Sequence, residues 1–192
     1  MQIIPAILTN DIEEFNNLLV RVSVTKKYDR VQVDFIDGEY TNNLTILPKD
    51  IKNPYDLKID AHLMVVEKNL QSYLDSLVGF DRIIVQMESI SRPENYDCLA
   101  LDIHSPIEAI MPYLPKLKLV NLMAIEPGHG GQTADLRIFE TISNLSNLRH
   151  LKNLSFLISV DGGVEQKHLD LLAGLGVDEV VVGANRVLSW SV

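Results

Sequence analysis

The chain has 192 residues, 46% hydrophobic and 22% charged, which is near the average for a globular domain and unlike disordered or membrane-embedded chains. Its 17 basic and 26 acidic side chains leave a formal net charge of -9, scattered rather than blocked. That argues against a nucleic-acid partner but not against an anionic small ligand, which a few local backbone N–H groups can hold. A single cysteine, Cys98, excludes an intrachain disulfide and reads as a buried strand residue in a reducing compartment. No long uncharged apolar run occurs, and Ile3 begins a strand-like segment without a signal-peptide pattern. The expectation is one cytoplasmic domain over residues 1–192 with no membrane contact.

Apolar, β-rich runs recur along the chain. Ile3–Leu8 comes first, followed by helical spacing over Asp11–Thr25 with Asp11 as its cap. Strand runs follow at Arg30–Asp34, Leu57–Met64, Arg82–Met87, Cys98–Ile103, Leu119–Ala124, Leu154–Val160 and Glu179–Val182. Helical spacing returns at Leu70–Val78, Ile107–Leu114, Leu136–Leu145 and Gln166–Leu175, with Gly174 and Gly176 closing the last. Most strand runs are continuous in Val, Ile and Leu, as parallel strands buried on both faces require. Eight such strands alternating with helices predict an α/β fold, a (β/α)8 TIM barrel. A doubly wound open sheet fits less well, because no G-x-G-x-x-G follows the first strand.

The length is below the usual range for such a barrel. A short polar stretch, Glu88–Tyr96, separates the fourth and fifth strands, and the chain ends soon after the eighth. The helices after strands four and eight are therefore expected to be missing or shortened. Val187, Leu188 and Trp190, or a second subunit, would cover the bare wall, so a homo-oligomer is expected.

Glycines and polar residues collect just after strands: Asp37 and Gly38, Gly128 to Gln132, Gly162 and Gly163, and Gly183 to Asn185. In a parallel barrel these share one rim, where the site is expected. Gln32 and Asp34 are two apart and share a strand face, as do Asp60 and His62, and Asp161 stands at the tip of the seventh strand. One acid at a strand end often only caps the next helix. Three such ends with Asp34, His62 and Asp161 point to a shared site.

The stretches VDFIDG, DAHLMV, EPGHGGQ and SVDGGV, with the opening IIPAILTND, occur in the order and approximate spacing found in ribulose-phosphate 3-epimerases. The chain resembles that family over nearly its whole length. The resemblance implies interconversion of ribulose 5-phosphate and xylulose 5-phosphate, a step of the pentose phosphate pathway. Asp34 and Asp161 would be acid and base around an enediolate, and one divalent ion (Zn, Mn, Fe or Co) would be held by Asp34, His62 and Asp161. Inverting a carbon beside a ketone needs a proton taken from one face and returned to the other, hence two carboxyl groups. Main-chain N–H groups of Gly130, Gly131, Gly162, Gly163, Gly183 and Ala184 would hold the phosphate of a small ketose. Ala6, Leu8, Met64, Met123 and Gln86 would line the substrate pocket.

The chain departs from the family pattern at several rim positions. Gln32 stands where the family has a ligand histidine, which implies a weaker fourth ligand and favours ions that tolerate oxygen, such as Mn or Mg. Gln86 also replaces a histidine, Ala6 a serine, and Glu126 and His129 an asparagine and a phenylalanine. Two other readings stay open: an epimerase for another ketose phosphate resembling allulose 6-phosphate, and a non-catalytic phosphosugar-binding barrel.

Overall fold

The computed structural model describes residues 1–190, and in it eight segments form strands: β1 (Gln2–Ile7), β2 (Arg30–Ile36), β3 (Lys58–Met64), β4 (Arg82–Gln86), β5 (Cys98–Leu101), β6 (Leu119–Met123), β7 (Leu157–Asp161) and β8 (Glu179–Gly183). Every pairing is parallel, and β8 closes onto β1 with Ile3 opposite Val180. The predicted (β/α)8 barrel is the observed one. Its helices are α1 (Ile12–Thr25), α2 (Glu67–Leu74), α3 (Ile138–Leu151), α4 (Leu169–Gly174) and α5 (Ala184–Leu188). No described helix is long and apolar enough to cross a membrane.

Alternation along each strand divides the protein into two interiors. Outward residues Val31, Val33 and Phe35 of β2 bury with Phe15, Leu18, Leu19 and Val22 of α1 in the layer between wall and helices. Phe15 and Phe35 are fully enclosed, so truncating either to alanine costs about 3–5 kcal/mol. Inward residues fill the barrel itself. Ile84, Cys98, Ala100 and Leu119 make a separate apolar cluster there. Burial and the neighbouring Asp97 push the Cys98 thiol up to about 12, which fits a packing role.

The inward polar residues lie at two depths. Asp60 stands two residues before His62, on the same strand face, but its carboxylate meets Arg30 and Arg82 (2.5 Å), not the predicted site. Arg82 also reaches Glu179 at 2.9 Å, and Arg30 reaches Asp81 at 2.7 Å. This ion network occupies the end of the barrel away from the strand tips. Such an arrangement is tolerated because each buried charge has a partner.

The helices differ from expectation in one place. Ile107–Leu114 has helical spacing of apolar residues, yet forms only two 3-10 turns, Ile107–Ala109 and Leu114–Lys116. Pro112 lacks an N–H and clashes with the preceding turn, and Pro115 repeats the fault. Elsewhere the existence of elements holds and the ends move: α2 starts earlier and stops at Leu74, and α3 runs on to Leu151. Asp11 caps α1 as predicted, accepting from Glu13 N at 2.7 Å.

Between β4 and β5 there are only two 3-10 turns, Met87–Ser89 and Pro93–Asn95, and after β8 the helical residues among those described are the five of α5. The wall is nevertheless covered. Val85, Leu99 and Leu101 are buried, and Ile90, Tyr96, Ile107, Met111 and Tyr113 pack against the same cluster. Val187 is buried and Leu188 and Trp190 half-buried at the other shortened corner. Irregular chain thus does the work of the missing helices, and no second subunit is required to cover these strands.

Candidate active site

The strand tips carry the site because the register sets the side chains level. Asp34 of β2 lies opposite His62 of β3, and Met123 of β6 opposite Asp161 of β7. All four point inward, and the polar three converge. One ligand atom each from Asp34, His62 and Asp161 lies within 4.8 Å of the others. His62 Nδ1 is 3.3 Å from Asp34 Oδ1 and 3.5 Å from Asp161 Oδ2. Two carboxylates and an imidazole nitrogen converging at one point form a possible metal-binding group, and the donor types suit a divalent transition ion.

Each member is held from behind. His62 Nε2 lies 3.1 Å from Gln86 Oε1, so the imidazole donates there and turns Nδ1 toward the carboxylates. Asn121 Nδ2 donates to Asp161 Oδ2 at 3.1 Å. Gln32 Nε2 donates to Asp34 Oδ1 and Asp161 Oδ2, both at 2.8 Å. Burial pushes the His62 imidazole down, but the hydrogen bond and charge of Asp34, the charge of Asp161 and the contact with Gln86 outweigh it, raising the group to about 9. Burial and the charge of Asp34 raise the Asp161 carboxyl to about 6, against the opposing pull of His62, Gln32 and Asn121.

Above this group opens a cleft of about 310 Å³ lined by Ala6, Leu8, Asp34, His62, Met64, Met123 and Asp161. Gly130, Gly131, Gly162, Gly163, Gly183 and Ala184 line the same cleft. Residues from β1, β2, β3, β6, β7 and β8 or their loops therefore meet at one rim. Gly163 shows why a glycine is needed: its φ is +67°, and a Cβ would sit 2.2 Å from Ala134 N. The loop after β6 is fixed by Gln132, which donates to the carbonyls of Glu126 (2.8 Å) and His129 (2.7 Å), and by Asn43, which donates to Gly128 O at 2.6 Å.

Two of the predicted positions sit elsewhere than expected. Gln86, assigned to the substrate pocket, does not line the cleft; it is fully buried behind His62. Its carboxamide oxygen faces the imidazole, since β4 brings it level with the far side of that ring. Gln32 also lies below the cleft, and it presents nitrogen, a donor, to the carboxylates where a metal ligand would present oxygen. Sequence reasoning passed over Asn121, although it is two residues before Met123 and shares its inward face. It passed over Glu14 and Arg186 of the cleft wall as well.

A second group, half-buried Asp102 with exposed His104 and Glu126, lies outside the cleft, with His104 paired to Glu126.

Residues 2–187 match the Ribulose-phosphate 3 epimerase family. The chain is similar to the ribulose-phosphate 3-epimerase of Schizosaccharomyces pombe, with 33% identity over 95% of this chain and 85% of the relative. It is 29% identical to that of Helicobacter pylori strain 26695, covering 96% of this chain and 89% of the relative. For Bacillus subtilis strain 168 the identity is 27%, over 96% of this chain and 91% of the relative.

Proposed function

The chain belongs to the ribulose-phosphate 3-epimerase family, and we propose that it interconverts D-ribulose 5-phosphate and D-xylulose 5-phosphate, with Asp34 and Asp161 as the acid–base pair. The observation that carries this reading is the meeting of two acidic side chains from β2 and β7 at the floor of a cleft walled by glycine loops.

One carboxylate removes the proton at C3, leaving an enediolate, and the other carboxyl group returns a proton to the opposite face of that carbon. Burial and the charge of Asp34 raise the Asp161 carboxyl to about 6, so it can hold a proton near neutrality. One of the pair acts as base while the other acts as acid, and the two exchange roles with the direction of reaction. Backbone N–H groups of Gly130, Gly131, Gly162, Gly163, Gly183 and Ala184 anchor the phosphate. Leu8, Met64 and Met123 shield the reacting carbon from water.

Asp34, His62 and Asp161 would hold one divalent cation (Zn, Mn, Fe or Co), and Gln32 would join them only with its oxygen turned inward. When bound it supplies Lewis-acid stabilisation of charge on the enediolate oxygens.

The test is hydrogen exchange at C3 of ribulose 5-phosphate in deuterium oxide, with each cation in turn. Asp34→Asn and Asp161→Asn should each slow exchange by about 10²-fold or more. Exchange at the wild-type rate in both variants refutes the assignment, and phosphosugar binding without exchange under any cation identifies a non-catalytic barrel.

A further inference from the structure

We propose that the Gln32 carboxamide is a two-position gate on the cation site: with nitrogen inward it ties Asp34 to Asp161, and with oxygen inward it becomes a ligand. This rests on the reading of Asp34, His62 and Asp161 as a cation site and is independent of the reaction catalysed.

The contacts assign the amide orientation. Nε2 lies 2.8 Å from Asp34 Oδ1 and 2.8 Å from Asp161 Oδ2, and an ionised carboxylate only accepts. A primary amide has two N–H groups, so one goes to each acid. With Oε1 in that place and both acids ionised, three oxygens would face one another with no amide N–H between them. Oriented as it is, the amide spans β2 and β7 and holds the two acids at the spacing in which they face His62.

The nitrogen lies against the same three atoms that a cation would use. Asp34 Oδ1 and Asp161 Oδ2 are the oxygens nearest His62 Nδ1, at 3.3 and 3.5 Å, and Nε2 is itself 3.4 Å from that ring nitrogen. An amide N–H turned toward this point opposes a cation placed there, because both present positive charge to the same oxygens. The amide oxygen is a ligand that hard cations accept. A half-turn about the last side-chain bond exchanges the two atoms and needs no movement of β2.

The rotated N–H groups then need a new acceptor. Among the described residues the surrounding network contains one buried acceptor that has no partner, Asn121 Oδ1. Asn121 already binds Asp161 through its nitrogen, and its unpartnered oxygen is the acceptor that the gate would use. Cation binding is thereby linked to the breaking of two charge-assisted hydrogen bonds, the stronger class of such bonds. A fixed imidazole or carboxylate at position 32 would carry no such linkage.

The test uses the whole ¹⁵N-labelled protein, treated with chelator and then titrated with Zn²⁺, with no sugar present. The Gln32 side-chain amide is assigned through its cross-peaks to the His62 ring. Before Zn²⁺ its two protons should lie downfield of the other glutamine amides and exchange slowly with solvent. One equivalent of Zn²⁺ should shift the His62 ring nitrogens and release both amide protons together. Zn²⁺ that shifts His62 but leaves the Gln32 protons unmoved overturns the gate. Zn²⁺ that leaves His62 untouched, or does not bind, overturns the cation-site reading beneath it. As a second measurement, Gln32→Glu offers oxygen in either position and should bind Zn²⁺ about tenfold or more tightly by calorimetry; equal or weaker binding counts against the gate.

Discussion

Asp37, on the loop after β2, accepts a hydrogen bond from Asn69 of α2 at 3.0 Å, and so joins two neighbouring loops of the catalytic rim. The same carboxylate accepts from Glu39 N, Tyr40 N and Val66 N, each at 2.9 Å. Burial pushes the Asp37 carboxyl up, but the N–H groups of Tyr40, Asn69, Glu39 and Val66 hold it below the ordinary value.

Asp37→Ala removes the acceptor of four donors at once. The loss should be about 1–2 kcal/mol, at the modest end because the carboxyl is partly solvated. The folded value lies below the unfolded one, so the stabilisation is complete above the unfolded value and fades as pH falls through the folded one. The difference in urea midpoint between wild type and variant should hold steady from neutrality to about pH 4, the ordinary aspartate value, and shrink below it. A gap that widens in acid would show that another group accounts for the effect.

Asp60→Ala strikes the opposite end of the barrel. It leaves Arg30 and Arg82 facing each other with their common partner removed. Breaking a buried charge network on one side costs about 3–5 kcal/mol. The thermal midpoint should fall accordingly, while the fraction still folded keeps the C3 exchange rate of the wild type. A drop in rate per folded molecule would connect this network to the site.

The strands were legible because a barrel strand is buried on both faces and leaves an unbroken apolar run, as in β2, whose seven residues are all buried. The inward pairs at 32/34 and 60/62 followed from the two-residue period of a strand, and the rim glycines from their places just after strand ends. The segment 107–114 misled for a definite reason. Its apolar spacing at Ile107, Ile110, Met111 and Leu114 is helical, and only the prolines at 112 and 115 forbid the helix. The roles of Gln32, Gln86 and Asn121 depend on contacts across the barrel. Gln32 meets Asp161 over 129 positions of sequence, and no local pattern encodes which end of an amide faces such a partner.

Gly163→Ala and Gly79→Ala separate backbone strain from lost space. Both glycines have positive φ, +67° and +87°, but a Cβ at 163 meets Ala134 N at 2.2 Å, whereas nothing lies within 4 Å at 79. Gly79→Ala should cost about 1–2 kcal/mol, the strain of the left-handed region alone. Gly163→Ala adds a clash with main chain that cannot swing away, for a total of about 3 kcal/mol or more. It should also raise KM for the phosphosugar, since Gly163 lines the cleft, while Gly79→Ala leaves KM alone. Equal losses at the two sites would mean that the loop carrying Ala134 yields readily.

Asn121→Leu tests whether a residue outside the cleft positions one that lines it. Asn121 is fully buried and donates to Asp161 Oδ2 at 3.1 Å, but it does not line the cleft. Leucine has nearly the same shape and no donor. Hydrogen bonds to charged groups contribute about 1.5–3 kcal/mol, so kcat should fall by about tenfold to a hundredfold if Asp161 takes part in the transition state. KM should stay within about twofold, because ground-state contacts to the sugar are unchanged. Asn121→Ser tests the same point with a smaller side chain that still carries a donor, and partial recovery of kcat is expected. A rise in KM at constant kcat would instead show that Asn121 shapes the cleft, and Asp161 would then need no partner on that side.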